Sequence, residues 1–531
     1  MKRVVSVLLL FTICAALAAC TPKDDSAQPS ESVSEKAGEV EETGRPVSGG
    51  TLRLCLYDVD TLNPILTKNE NNRNVLSVMY DGLFKPEEDM SVTPALCESA
   101  SVSDDGLTYS LSLRRDVSFH GGESFSAADV LYTFNLISLS GGAYASALSE
   151  VASYSVSGAG FKIVLKRPVV NFTSLLTFPI LKASGAPASA IAGAASYSPN
   201  GTGKYRMEKY YLNKALSLAA VDGHFSGKKP YIPAIEITIA YDRQTAIKMF
   251  ENSLCDVLTP NIAAPGDYTP KANLKEHSLP TLNYEFLGVN NQRIALLDSV
   301  MRKALSAMLD RDYIIDSFVT GRADKAVIPV NPTSSLYYDA IGAENMYMPV
   351  NAAETVTNLG WTDTDGDEIP DKVILGEKTD LYLDILVNSD NAQRVKTAEY
   401  IKGCLEKYGI RATVTALSFE RYSARIEGGD YDLFLGGTRL AKNQDISDFV
   451  LFAGNRFGAY DEELSRLAAA CAKKTECSDE FHSISSALAD TMPIIGLYFR
   501  RDTLLVNSRV KGHLAPVEDA IFTSISDWYI G

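Results

Sequence analysis

The side chains best suited to chemistry are a run of carboxylates, scattered histidines and one cysteine. Asp363-Thr364-Asp365-Gly366-Asp367-Glu368-Ile369-Pro370-Asp371 sets carboxylates at alternating positions, a pattern that suits a hard cation such as calcium. An EF-hand loop needs glycine at its sixth position and glutamate at its twelfth; here those positions hold Glu368 and Ile374. The run reads better as a solvated acidic turn, and no metal site is assigned. His120, His224, His277, His482 and His513 never pair at ligand spacing, and no C-x-x-C occurs, so zinc and nickel chemistry have no ligand set. G-x-S-x-G, H-E-x-x-H and phosphate-cradling glycines are also missing. The reading is of a non-enzymatic chain with no cofactor. A nucleophile and base assembled from distant positions stays open as the alternative.

Cys20 stands apart from the other cysteines. Lys2 and Arg3 precede an apolar stretch, Val4 to Ala16, that closes on Leu17-Ala18-Ala19-Cys20. The stretch is too short for a spanning helix and has the form of a secretory signal. Small residues ahead of a cysteine resemble a lipobox. Residues 1–19 then read as a lipoprotein signal peptide, with Cys20 as the acylated first residue of the mature chain. Residues 20–48 are rich in Ser, Glu, Pro and Gly and read as a flexible tether. Of the later cysteines, Cys404 falls on the apolar side of a helix, and Cys471 and Cys477 are close enough for a local bridge.

The formal charge is −16; loss of Lys2 and Arg3 makes the mature chain −16 − 2 = −18. Such acidity repels anionic polymers, so no nucleic-acid partner is expected.

Strands and helices must position whatever site exists. Leu52, Leu54 and Leu56 alternate in a strand over 51–57, and Tyr109, Leu111 and Leu113 in another. Ser126-Ala127-Ala128-Asp129 is a capping box opening a helix. Asp242 caps another whose Ala246, Met249 and Phe250 point inward. Further on, the pattern predicts strands over 283–289, 381–387, 413–417 and 431–435, and helices over 296–309, 392–407 and 419–427. Late strands fall at 494–499 and 503–506. This β-α-β-α-β alternation points to an α/β layer with mixed or parallel strands.

These segments, in this order, resemble the extracellular solute-binding proteins of family 5, which serve oligopeptide, dipeptide and nickel importers. GGTLRLCLYDVDTLNP (49–64) is similar to the family's opening strand and turn. Residues 79–134 carry its Y-D-G-L, D-G-L-T-Y, L-R-x-x-V-x-F-H-x-G and A-D-V steps. PNGTGKY (199–205) is similar to its G-T-G-P-Y turn, with Lys204 in place of proline, and Asp310-Arg311 fits its A-x-D-R step. The resemblance implies a two-lobed α/β fold of the periplasmic-binding-protein kind, class II, with mixed sheets and a ligand cleft between lobes. Lobe I would take 49–283, with an extra subdomain around 85–200, and 498–531 would return to it. Lobe II would take 284–497. The implied function is capture of a peptide-like small solute for ABC permease subunits, as a monomer held to the cell membrane by its lipid. A peptidase-like enzyme or a ligand-sensing lipoprotein on the same scaffold is the alternative.

The resemblance places ligand-facing residues on three loops. The first holds Tyr57, Asp58, Asp60, Thr61 and Asn63. The second holds Asn388, Ser389, Asp390 and Asn391, and the third Gly436, Gly437, Thr438 and Arg439. Glycine at 436 and 437 would allow close backbone approach to a ligand, or serve an ordinary turn. Peptide-binding relatives often carry W-x-x-D in the third region, where the Asp meets the peptide's amino terminus. Thr438-Arg439-Leu440-Ala441 has neither residue, and the second loop lacks the Arg that dipeptide binders use for a carboxylate. Arg439 itself could grip a carboxylate or lie on the surface.

The lipid reading has a direct check. Metabolic labelling with palmitate should mark the wild-type chain and place it in the membrane fraction. Cys20→Ser should abolish the label and leave an uncut precursor.

Overall fold

The computed structural model describes residues 45–259, 273–344, 346–447, 449–450, 462–475 and 478–531. The expected signal peptide, Cys20 and most of the tether lie outside these residues, as does Cys477.

Alternation builds the first sheet. Leu52, Leu54 and Leu56 of strand Thr51–Tyr57 are buried on one face, as a period of two requires. This strand pairs in parallel with Ala234–Ala240; Ala215–Ala220 and Tyr205–Tyr211 follow antiparallel. A second four-stranded sheet is antiparallel throughout, in the order Cys97–Val102, Thr108–Leu113, Gly160–Leu165, Val151–Ser157. Helix Ala127–Ser140 packs on it through Phe134, whose ring lies 5.0 Å from that of Phe161. The expected capping box forms: the Asp129 carboxylate accepts from Ser126 N at 2.8 Å and Oγ at 2.9 Å. Both sheets feed one apolar cluster.

The third sheet has seven strands. Its order is Val257–Leu258, Ile494–Asn507, Leu274–Val289, Leu433–Arg439, Tyr382–Asn388, Arg411–Leu417, with Ala323–Lys325 added on Ile494–Asn507. Tyr382–Asn388 runs parallel to both its neighbours, and helices Ala392–Lys407 and Phe419–Glu427 provide the crossovers, with the bounds that periodicity predicts. A second apolar cluster forms here around Leu287, Ile385, Ile401 and Leu433.

Two strands are longer than the pattern predicts. Leu274–Val289 and Ile494–Asn507 are continuous and antiparallel, with a register shift between Pro280 and Tyr284. Each runs from the first cluster (Leu279, Leu504, Val506) into the second (Leu287, Val289, Ile495, Leu497). Arg500, Arg501 and Asp502 interrupt the apolar pattern, which is why two separate strands are predicted there. They occupy the stretch between cores, where side chains meet partners rather than a hydrophobic layer: Arg501 Nη1 donates to Asp324 at 2.8 Å.

Asp256 ties the opening strand to the end of this pair. It is fully buried and accepts from Arg53 N at 2.8 Å, Arg53 Nε at 3.0 Å and Arg509 Nη1 at 2.8 Å. Among the described cysteines, Cys55, Cys97, Cys255 and Cys404 are free and buried, the last as the helix pattern predicts. Cys471 is disulfide-bonded, so its partner lies outside the described residues. Removing one side of a buried ion pair strands the other. Asp256→Ala should therefore lower the unfolding free energy by about 3 kcal/mol, read as a shifted urea midpoint with an unchanged slope.

Candidate functional site

The first predicted loop is largely consumed by its own geometry. Thr61 and Asn63 are buried. Thr61 Oγ1 accepts from Asn63 N at 3.0 Å and donates to the Ala194 carbonyl, and Asn63 Oδ1 accepts from Ile65 N at 2.9 Å. Asp60 accepts from Thr67 Oγ1 at 2.6 Å and Lys68 N at 2.9 Å. Tyr57 packs against the small cluster around Phe250 and Cys255; burial raises its phenol, with Arg243 opposing. Asp58 is exposed and holds a left-handed backbone, φ 47°.

The second loop caps a helix. Asn391 Oδ1 accepts from Arg394 N at 3.0 Å, Asn388 Oδ1 accepts from Asp390 N at 3.1 Å, and Ser389 N donates to Leu417 O at 2.7 Å. The third segment is not a loop. Gly436 to Arg439 complete strand Leu433–Arg439, paired with Asn283–Phe286. Gly437 has no room for a Cβ because the Arg394 guanidinium and the Glu285 carboxylate occupy that space. Its close approach is thus to a side-chain pair of the protein itself. Arg394 Nε and Nη2 donate to Glu285 at 2.8 and 3.0 Å, and Arg500 Nε donates to the same carboxylate at 2.9 Å. One carboxylate faces two guanidiniums, so this junction of the second and third segments carries excess positive charge.

Arg439 is the predicted site residue that lines a cavity. That cavity, about 440 Å³, also has Glu70, Arg73, Tyr144, Lys442 and Asp519 in its wall. Sequence reasoning missed these residues. Glu70 and Arg73 sit on a short helix, and Asp519 on the return segment, with no motif around any of them. Arg439 donates to Glu518 and, at 3.1 Å, to Asp519; Lys442 reaches Asp519 at 2.8 Å. Its side chain is 43% exposed, so it combines the two expectations: paired with carboxylates and open to solvent. Glu70 acts electrostatically on both Tyr57 and Arg439, which sets the first loop at the border of this site. Thr438 is exposed beside it.

The acidic run folds on itself. Asp363 accepts from Gly366 N at 2.7 Å and Glu368 N at 3.0 Å, Asp371 from Thr364 Oγ1 at 2.6 Å, and Lys378 pairs with Asp365. Asp363, Asp365 and Asp371 come close enough to share a cation, but the Lys378 ammonium already serves Asp365 and lies 3.6 Å from Asp371.

A model of the bacterial extracellular solute-binding proteins, family 5, middle region, matches residues 91–458. The oligopeptide-binding protein AppA of Bacillus subtilis is 24% identical over 561 residues, covering all of both chains. HbpA2 from Haemophilus parasuis superposes with a TM-score of 0.73 at 21% identity, covering 91% of this chain and all of the other. MppA, a periplasmic murein tripeptide binding protein in its unliganded open form, gives 0.73 at 16% identity, covering 91% and 98%. The fold is the two-lobed α/β fold with mixed sheets that the sequence implies, and these relatives are binding proteins rather than enzymes.

Charge at the site depends on pH. Burial lifts Glu518 to about 7, against the pull of Arg439 and with Asp519 adding to the rise. Burial would raise Asp519 too, but Lys442 and Arg439 hold it below the usual range. Between the ordinary carboxylate range and pH 7, native Glu518 keeps a proton that the unfolded chain has released. This group's contribution to stability therefore falls as pH rises through that window. Glu518→Gln should remove about 2 kcal/mol of that fall between pH 5 and pH 7, measured by urea unfolding at both.

Proposed function

Since the chain belongs to the bacterial extracellular solute-binding proteins, family 5, we propose that it captures a peptide-like small solute between two lobes and delivers it to the membrane subunits of an ABC importer. Members of this family bind peptides and other small solutes and work with ABC permeases. No helix among the described residues is long and apolar enough to cross a membrane. Attachment in this reading is through lipid on Cys20, with the protein acting as a monomer outside the cytoplasm and catalysing nothing.

The lobes are 49–283 with 498–531, and 284–497. The observation that carries the proposal is the polar cavity bordered by Arg439 and Lys442 from the second lobe and by Glu70, Arg73 and Asp519 from the first. Ion pairs of Arg439 and Lys442 with Glu518 and Asp519 then bridge the lobes. A hinge within the long strand pair would let them part and re-form around a ligand. Tyr57, Asp58, Thr438 and Arg439 border the opening; Thr61, Asn63, Asn388, Ser389, Asn391 and Gly437 support it from behind.

Ligand polarity follows from charge. Ala441 stands where relatives place the Asp for a peptide amine, and a desolvated ammonium without a counter-charge is costly. Arg439, once its bonds to Glu518 and Asp519 part, offers a planar donor pair for a carboxylate. The solute is then a peptide-like acid gripped by its carboxylate, with its amino end blocked or solvent-facing.

Protein purified from membranes should retain a solute identifiable by mass spectrometry, and its addition to stripped protein should shrink the scattering radius. Arg439→Ala should weaken that binding at least tenfold. Cleavage of a peptide mixture instead of retention would replace this reading with an enzyme. Unchanged uptake in cells lacking the chain, with a lost transcriptional response, would replace it with a sensor.

A further inference from the structure

A second cavity, about 270 Å³, adjoins the polar one and shares Tyr144, Thr177, Lys442 and Asp519 with it. Most of its wall is apolar, supplied by Val78, Phe84, Val92, Phe225, Phe522 and Ile525. Lys204 also lines it. This is the residue that stands where the family's turn usually carries proline.

The backbone fixes where Lys204 begins. A Cβ on Gly201 or Gly203 would collide with the main chain of Met79 and Tyr80, so the turn lies pressed on that segment. Gly203 N donates to Met79 O at 3.0 Å. His120 N donates to Gly201 O at 2.8 Å, and its Nε2 lies 2.9 Å from Gly203 O. A residue following so constrained a turn has little freedom in the direction it leaves the backbone.

The ammonium of Lys204 has no hydrogen bond or ion pair among the described residues. Asp81 and Asp527 act on it electrostatically, and Asp81 is engaged elsewhere: Oδ2 accepts from Thr202 Oγ1 at 2.9 Å and faces His224 Nε2 at 3.2 Å. Burial lowers the Lys204 amine, with Asp81 only partly opposing. A half-buried cation without a partner, in an apolar wall, is an unfavourable arrangement that a bound anion would relieve.

We propose that this cavity is a separate binding site for a small apolar monocarboxylate, its carboxylate on Lys204 and its body against Val78, Phe84, Val92 and Phe225. The volume is below that of a typical drug-sized pocket and suits a small aromatic or branched acid. Asp81 and Asp519 border the same space and repel a dianion more strongly than a monoanion, which disfavours phosphate. Arg439 does not line this cavity, and it reaches it only through its partners Glu518 and Asp519.

Calorimetric titration of the full-length protein with phenylacetate tests this. Binding should saturate, and phenylacetamide and inorganic phosphate should bind at least tenfold more weakly. Lys204→Met should weaken phenylacetate at least tenfold, and Val92→Trp should weaken it by filling the wall, with far-UV circular dichroism unchanged in both. Arg439→Ala should weaken phenylacetate less than Lys204→Met does, whatever becomes of peptide-like solutes. Equal binding of acid and amide, tighter binding of phosphate, or full binding by Lys204→Met would overturn the proposal. So would a loss on Arg439→Ala as large as on Lys204→Met, which would return the cavity to the polar cleft.

Discussion

A pair of strands that leaves one hydrophobic core and enters another must keep its backbone paired while its side chains have no core to enter. Leu274–Val289 and Ile494–Asn507 meet that constraint by antiparallel pairing along their length, with register shifts at Pro280 to Tyr284 and at Glu285 to Phe286. Buried backbone groups need partners, and where the ladder slips, side chains supply them: Thr281 Oγ1 donates to Arg500 O at 2.7 Å and Asn331 Nδ2 to Thr281 O at 2.8 Å. The same stretch projects Glu285 toward Arg394 and Arg500. Arg311, fully packed, donates to Gly496 O at 2.8 Å. The crossing is therefore where strand Leu433–Arg439 of the third sheet, the cap of helix Ala392–Lys407 and the return segment take their positions relative to one another.

The ion pairs around this crossing are of two kinds. Glu285 and Asp256 are buried, and burying charge costs enough that such clusters define geometry more than they add stability. Arg439 and Lys442 are about two-fifths exposed, and pairs of that kind contribute about 1 kcal/mol or less each. Strong, buried contacts thus hold each core and the strand pair; weak, solvated ones join Arg439 and Lys442 to Glu518 and Asp519. A binding protein that closes on a solute and reopens needs this division, because closing contacts as strong as the core would trap either state.

Much of this was legible in the sequence, for identifiable reasons. Helices Ala392–Lys407 and Phe419–Glu427 carry strong 3.6-residue patterns and clear ends, and strand Thr51–Tyr57 alternates cleanly. The family resemblance rests on such scaffold steps. The long strands were hidden because Lys275, Glu276, His277 and Pro280 on one, and Arg500 to Asp502 on the other, break the alternation at the place where no core lies beneath. Gly436 and Gly437 read as a loop because glycine disfavours strands, yet Phe434, Arg394 and Glu285 fill the space their side chains would need. The site was less legible: Glu70, Arg73 and Asp519 become neighbours of Arg439 only through the fold, and Asp519 adopts φ 61° with no turn signal to announce it.

Residues that match the family pattern mostly spend their interactions on the scaffold. Gly201 and Gly203 admit the Met79–Tyr80 backbone, Asp129 holds Ser126, Lys182 and Ala183, and Arg311 is committed to Gly496 and Ser306. Gly201, Gly203, Asp129 and Arg311 line neither cavity. The departures are different. In the proposed reading, Ala441 removes an acid from the cleft and Lys204 adds a cation beside it, and both shift the balance toward ligands that bring negative charge. In a chain whose formal charge is −16, long-range attraction cannot supply that preference, so local cations must. Arg439, Lys442 and Lys204 are the side chains placed to do so.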